Sequence, residues 1–136
     1  MSFPEDSRRG DDLASPLVLL ATPDAPYLAR QYVREILVVL GRLDVEQEAL
    51  LIVSELVTNV VVHTACPDLV VGVAATTNSL CISVDDCNIA ALPMRQPSEL
   101  GSTDRGLLLV ESLSSRWASE PTTHGKRVWA DLALSA

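Results

Sequence analysis

The chain has 136 residues, 48% hydrophobic, 21% charged and 4% aromatic, enough to bury roughly 68–70% of its unfolded surface around one aliphatic core. Ten basic against eighteen acidic residues give a formal charge of −8, which repels phosphate backbones and anionic lipid and argues against direct nucleic-acid or membrane-surface binding. No apolar run approaches the roughly 18 residues of a membrane span and the N-terminus lacks the apolar stretch of a secretion signal, so the expected location is cytoplasmic.

Residues 1–15 are polar and charged, with a proline and a glycine, and read as a loose tail; residues 16–136 then form a single domain. PLVLLA at 16–21 has the length and character of a strand. A helix follows from Asp24, a favoured N-cap residue, with Leu28, Ala29, Tyr32, Val33, Ile36, Leu37 and Leu40 at three- and four-residue intervals and Gly41 as its stop. Asp44 and Gln47 have the spacing of a capping box and open a second helix, which runs to about Thr64 before Pro67 forbids continuation.

That second helix carries the most informative pattern in the chain. Glu55, Asn59 and His63 recur every four residues and so stack on one face, while Leu51, Ile52, Val53, Leu56, Val57, Val60 and Val61 make most of the circumference apolar. A polar stripe on a buried helix is costly unless something satisfies it. It marks either a polar ligand site or the solvent edge of an amphipathic helix.

Two strands, 69–75 and 80–86, flank Thr76, Thr77, Asn78 and Ser79, which is hairpin spacing with hairpin residues. Leu80, Ile82, Val84 and Asp86 alternate onto one face, so an apolar row ends in a carboxylate pointing toward the core. Residues 87–103 contain two prolines and a glycine without clear period, a long connection that reads as a lid over a site or as a plain linker. A third helix begins near Asp104–Gly106 and uses Leu107, Leu108, Val110 and Leu113; RWASE, a PTTHG turn and KRVWADLAL form a terminal hairpin. Cys66, Cys81 and Cys87 lack any CxxC pair and are accompanied by only two histidines, which suggests thiols rather than a disulfide framework or a zinc site. The order of elements predicts an α+β two-layer sandwich, a mixed, largely antiparallel sheet with helices on one face.

Taken together, SELVTNVVVH, a strand ending in D-x-N, a lid, RGLLLV, RW and a terminal GKRVWADL resemble the histidine-kinase-like ATPase domain of the GHKL superfamily. The likeness is to its small bacterial form, typified by anti-sigma-factor serine kinases, and runs from about Pro23 to Leu134. It implies a Bergerat-type ATP-binding fold, ATP and Mg²⁺ as cofactors, and a protein serine/threonine kinase that phosphorylates an anti-anti-sigma partner and sequesters a sigma factor. Homodimers are common among such relatives. Residue by residue, the resemblance implies that Glu55 orients or deprotonates the attacking hydroxyl and that Asn59 holds Mg²⁺ against the triphosphate. His63 would touch a phosphate or cap its helix. Asp86 would accept from the adenine amine, with Asn88, where relatives carry Gly or Ser, lining the base pocket and Pro93 fitting the lid proline. Arg105, Gly106 and Leu107 match the phosphate-binding turn, where backbone amides and the helix dipole attract anions.

Two positions depart from that pattern. Asp104 stands where Gly is common, bringing a negative charge near the phosphates or serving as the helix N-cap. Arg127 stands where a Thr usually supports the adenine: turned inward it would pair with Asp86 and fill the base pocket, and turned outward it would leave the pocket one contact poorer. These departures motivate an alternative function, a non-catalytic regulatory interaction module of the same fold with weak or lost ATP binding.

Overall fold

The computed structural model describes residues 11–12, 15–88 and 105–135. Most of the expected lid, including Pro93, and Asp104 lie outside the described residues. The elements are β1 (Asp11–Asp12), β2 (Leu17–Leu20), α1 (Ala25–Leu40), a 3-10 turn (Leu43–Val45), α2 (Glu46–His63), β3 (Asp68–Ala75), β4 (Ser79–Asp86), α3 (Arg105–Leu113), β5 (Arg116–Pro121) and β6 (Lys126–Ala133).

Helix α1 ends as its sequence predicts. Gly41 adopts φ 68°, open to a residue without a Cβ, and the amides of Gly41 and Arg42 close the last turn on the carbonyls of Val38 and Leu37 at 3.1 and 2.9 Å. The capping box expected at Asp44 and Gln47 does not form. The 3-10 turn absorbs Asp44, whose carboxylate pairs with Arg42 at 3.1 Å, and α2 starts at Glu46 behind Val45 with no side-chain cap. At its far end the Thr64 hydroxyl donates to the Val60 carbonyl at 2.8 Å, satisfying one of the carbonyls a helix terminus leaves over.

The strands form one sheet in the order β1-β3-β4-β6-β5, with β2 also on β3. Every described pairing is antiparallel, so the parallel component of a mixed sheet is not seen. β2 covers the outer edge of β3 from Asp68 to Val71, and β1 covers the same edge at Ala74 and Ala75. Asp11 and Asp12 thus extend the sheet from within the segment read as a tail.

The helices pack on one face of the sheet. Ala25 and Ala29 are fully buried and, being small, let α1 lie close to the layer beneath. Val33 and Leu37 of α1 join Ile52, Val53, Leu56 and Val57 of α2 over Val71, Val73, Leu80, Ile82, Val84, Ala130 and Leu132 of the sheet. Each such side chain contributes about 1.5–3 kcal/mol on burial. A small second cluster, Cys81, Ala118 and Trp129, occupies the opposite sheet face, where the Arg116 guanidinium lies 5.5 Å from the Trp129 ring centroid.

Two of the three cysteines depart from the expectation of thiols. Cys66 and Cys87 are joined in a disulfide with their Cα atoms 5.7 Å apart, inside the usual range for such a bond. The packing of α2 against β4 brings the turn after α2 and the end of β4 together, although 21 positions separate the two residues in sequence. Cys81 is buried away from them in the opposite-face cluster.

Candidate functional site

A cavity of about 170 Å³ opens where α2, α3 and the ends of β4, β5 and β6 meet. Helix α2 contributes Asn59 and His63, β4 and the residues beyond it contribute Asp86 and Asn88, and α3 contributes Leu107. Those five residues, drawn from sequence-distant segments, lie around this one cavity. Val84 and Val128 supply apolar walls. The volume is below the roughly 300–1,000 Å³ of a drug-sized ligand site and suits a single ring system.

Glu55 is half-buried on α2, one turn before Asn59, on the same helix face, and is not among the cavity-lining residues. Arg105 and Gly106 are the first residues of α3, where a phosphate-binding turn would present its amides; their side chains lie outside the described residues.

Asp86 is the chemical centre of the cavity. Its side chain is 1% exposed, one oxygen accepts the Asn88 amide at 2.9 Å, and the other accepts from Lys126 Nζ at 2.5 Å. The Lys126 side chain is itself only 18% exposed. Burial of either charge alone would be strongly unfavourable, and the mutual attraction offsets that cost. A carboxylate has about four lone-pair positions and an ammonium three protons, so both groups keep hydrogen-bonding capacity toward the cavity. An acceptor and a donor therefore stand side by side on one wall.

Of the two orientations open to Arg127, the structure takes the outward one. It is paired with Asp85, not Asp86: Nε donates to Asp85 Oδ1 at 2.7 Å and Nη2 to Oδ2 at 2.9 Å, and the two residues sit directly opposite each other in the β4–β6 ladder. Because Val128, Ala130 and Leu132 face the helices, the period of two along β6 sends Lys126 to the same side and Arg127 to the other. Arg127 instead lines a groove of about 630 Å³ with Asp68, Asp85 and His124. It does not fill the pocket beside Asp86.

Two residues of the site went unrecognised in the sequence. Lys126 was discoverable by applying to β6 the alternation that exposed Asp86 on β4. Gly125 is the second: a Cβ there would stand 1.9 Å from the Asp86 carbonyl oxygen, so only glycine lets the β5–β6 turn close over the end of β4. Gly125 opens the GKRVWADL segment, but a residue pattern does not show its approach to β4.

Among the described residues no group of three or more His, Cys, Asp or Glu could hold a metal. Mg²⁺ bound with a nucleotide needs no such cage, since it keeps several waters and takes one or two protein oxygens beside the phosphates; the Asn59 carboxamide, half-buried at the cavity, suits that role. Among the described residues no helix is long and apolar enough to cross a membrane. Compared with protein-family models and with curated proteins, the chain matches none.

Proposed function

We propose that this chain binds ATP with Mg²⁺ in a Bergerat-type site and transfers phosphate to a serine or threonine of a partner protein, as its resemblance to small anti-sigma kinases implies. The partner would be an anti-anti-sigma protein and the regulated target a sigma factor. The observation that carries the reading is the convergence of Asn59, Asp86, Asn88 and Leu107 on one ring-sized cavity.

In this reading Asp86 accepts the exocyclic amine of adenine while Lys126 donates to the adjoining ring nitrogen. The apolar walls of Val84, Val128 and Leu107 hold the base flat and exclude water from the pair. Asn59 offers its carboxamide oxygen to Mg²⁺, which when bound neutralises charge on the triphosphate. The amides opening α3 face the phosphates. Glu55 accepts the proton of the incoming hydroxyl, a role that requires position more than covalent chemistry.

Calorimetric titration of the purified chain with ATP and Mg²⁺, with GTP as control, tests this. The expected result is saturable heat with ATP and a weaker response to GTP. No heat, together with no rise in melting temperature at millimolar ATP, would overturn it. One observation favours the second reading, an interaction module without nucleotide: the Asp86–Lys126 pair already satisfies both charges. The same titration separates the two.

A further inference from the structure

We propose that Cys66 and Cys87 form a reversible disulfide that sets the ligand affinity of the cavity beside Asp86, an inference that rests on the nucleotide reading of that cavity. The bond spans its two walls. On the helix side, Thr64 lines the cavity and its hydroxyl oxygen accepts the Cys66 amide at 3.2 Å. On the strand side, Cys87 lies between Asp86 and Asn88, both of which line the cavity, and its own amide donates to Cys66 Sγ at 3.1 Å. The sulfur link therefore ties the end of α2 to the short segment that carries the buried carboxylate and its Asn88 hydrogen bond.

Accessibility gives the direction of the chemistry. Cys87 is exposed and Cys66 is buried, and exposed disulfides are the labile, regulatory ones. Closure takes two exchange steps with a small-molecule disulfide. The Cys87 thiolate attacks one sulfur, forming a mixed disulfide and expelling one thiolate; Cys66, deprotonated, then attacks Cys87 Sγ and expels the second. Two protein thiols become one disulfide and one small disulfide becomes two thiols, so electrons and protons balance. A small dithiol runs the sequence backward. Cys81 lies in the opposite-face cluster and takes no part.

The oxidised form holds the strand-end wall in register with the helix wall before ligand arrives, which removes part of the ordering cost of binding. Reduction frees the segment from Cys87 to Asn88 from the helix. The expected effect is about tenfold tighter ATP binding in the oxidised chain, about 1.4 kcal/mol.

The test uses the whole chain equilibrated with oxidised glutathione or with dithiothreitol. Alkylation and peptide mass spectrometry read the thiols, titration with ATP and Mg²⁺ reads affinity, and amide hydrogen exchange follows Asp86 to Asn88. The proposal expects Cys66 and Cys87 alone to pair, reversibly, with tighter ATP binding when paired. The Cys66→Ser, Cys87→Ser double variant should show one affinity, that of the reduced chain, under both conditions, and Cys81→Ser should behave as the parent. Thiols that remain alkylatable at 66 and 87 under oxidant, or equal ATP affinities in the two states, overturn it. If neither state binds ATP, the nucleotide reading fails by itself, and the exchange data decide the remainder. Slower exchange at Asp86–Asn88 in the oxidised chain upholds the coupling of the bond to the cavity wall; identical exchange overturns it.

Discussion

Replacing Lys126 with methionine isolates the contribution of the buried pair. The substitution keeps an unbranched side chain of similar length and removes the ammonium, leaving the Asp86 carboxylate, 1% exposed, with only the Asn88 amide as partner. Breaking a buried ion pair by deleting one member costs about 3–5 kcal/mol, a third or more of the total stability of many domains. An unfolding entropy of about 2.1 cal/mol/K per residue over this length corresponds to a fall in melting temperature of roughly 10–17 °C. Adding Asp86→Leu to Lys126→Met removes the stranded charge and should restore most of that loss, since apolar replacements of buried pairs are often neutral or better. Thermal and urea unfolding of the parent, both single variants and the double variant measure the coupling. A Lys126→Met chain within about 1 kcal/mol of the parent would refute the argument, because the carboxylate would then be reaching water or another donor. The double variant also separates folding from function: it should fold and bind no ATP.

Glu55→Ala should leave ATP affinity unchanged and slow phosphoryl transfer to a partner by about 10²-fold or more; an unaltered rate would leave Glu55 a structural residue. Arg127→Thr should leave ATP affinity unchanged, because Arg127 faces away from the cavity, and should lower stability by about 1 kcal/mol or less for loss of a half-exposed cross-strand pair. A clear change in affinity by calorimetry would mean that Arg127 reaches the cavity. Gly125→Ala should destabilise by several kcal/mol or displace the turn, since the Asp86 carbonyl occupies the Cβ position; unfolding within 0.5 kcal/mol of the parent would contradict the close approach.

The layers of this fold were legible because burial imposes period. Val33, Ile36 and Leu37 on α1, and Leu80, Ile82 and Val84 on β4, announce their inward faces, and Asp86 stands out as the polar member of a core-facing row. The same rule read along β6 separates Lys126 from Arg127. A motif of residue types carries no direction for a side chain, so GKRVWADL alone does not say which of the two faces the helices. The disulfide was illegible for a different reason. Cys66 and Cys87 approach only because a helix end and a strand end meet in three dimensions, and no local spacing encodes that meeting. The capping box at Asp44 and Gln47 is absent because a 3-10 turn, Leu43–Val45, takes up Asp44 and α2 starts only at Glu46.

The tandem pairs Asp85–Arg127 and Asp86–Lys126 bear on how the sheet finds its alignment while folding. β3 and β4 are aligned by the tight turn between them, but β4 and β6 meet across 40 positions of chain and no turn dictates which residues face. A slip of one residue would drive Arg127 into the core and expel Lys126. A slip of two would part Asp86 from Lys126 and set it opposite Val128 or His124. Four charges, two on each side of the sheet, thus act as a key that penalises every neighbouring misalignment, whatever ligand the cavity holds.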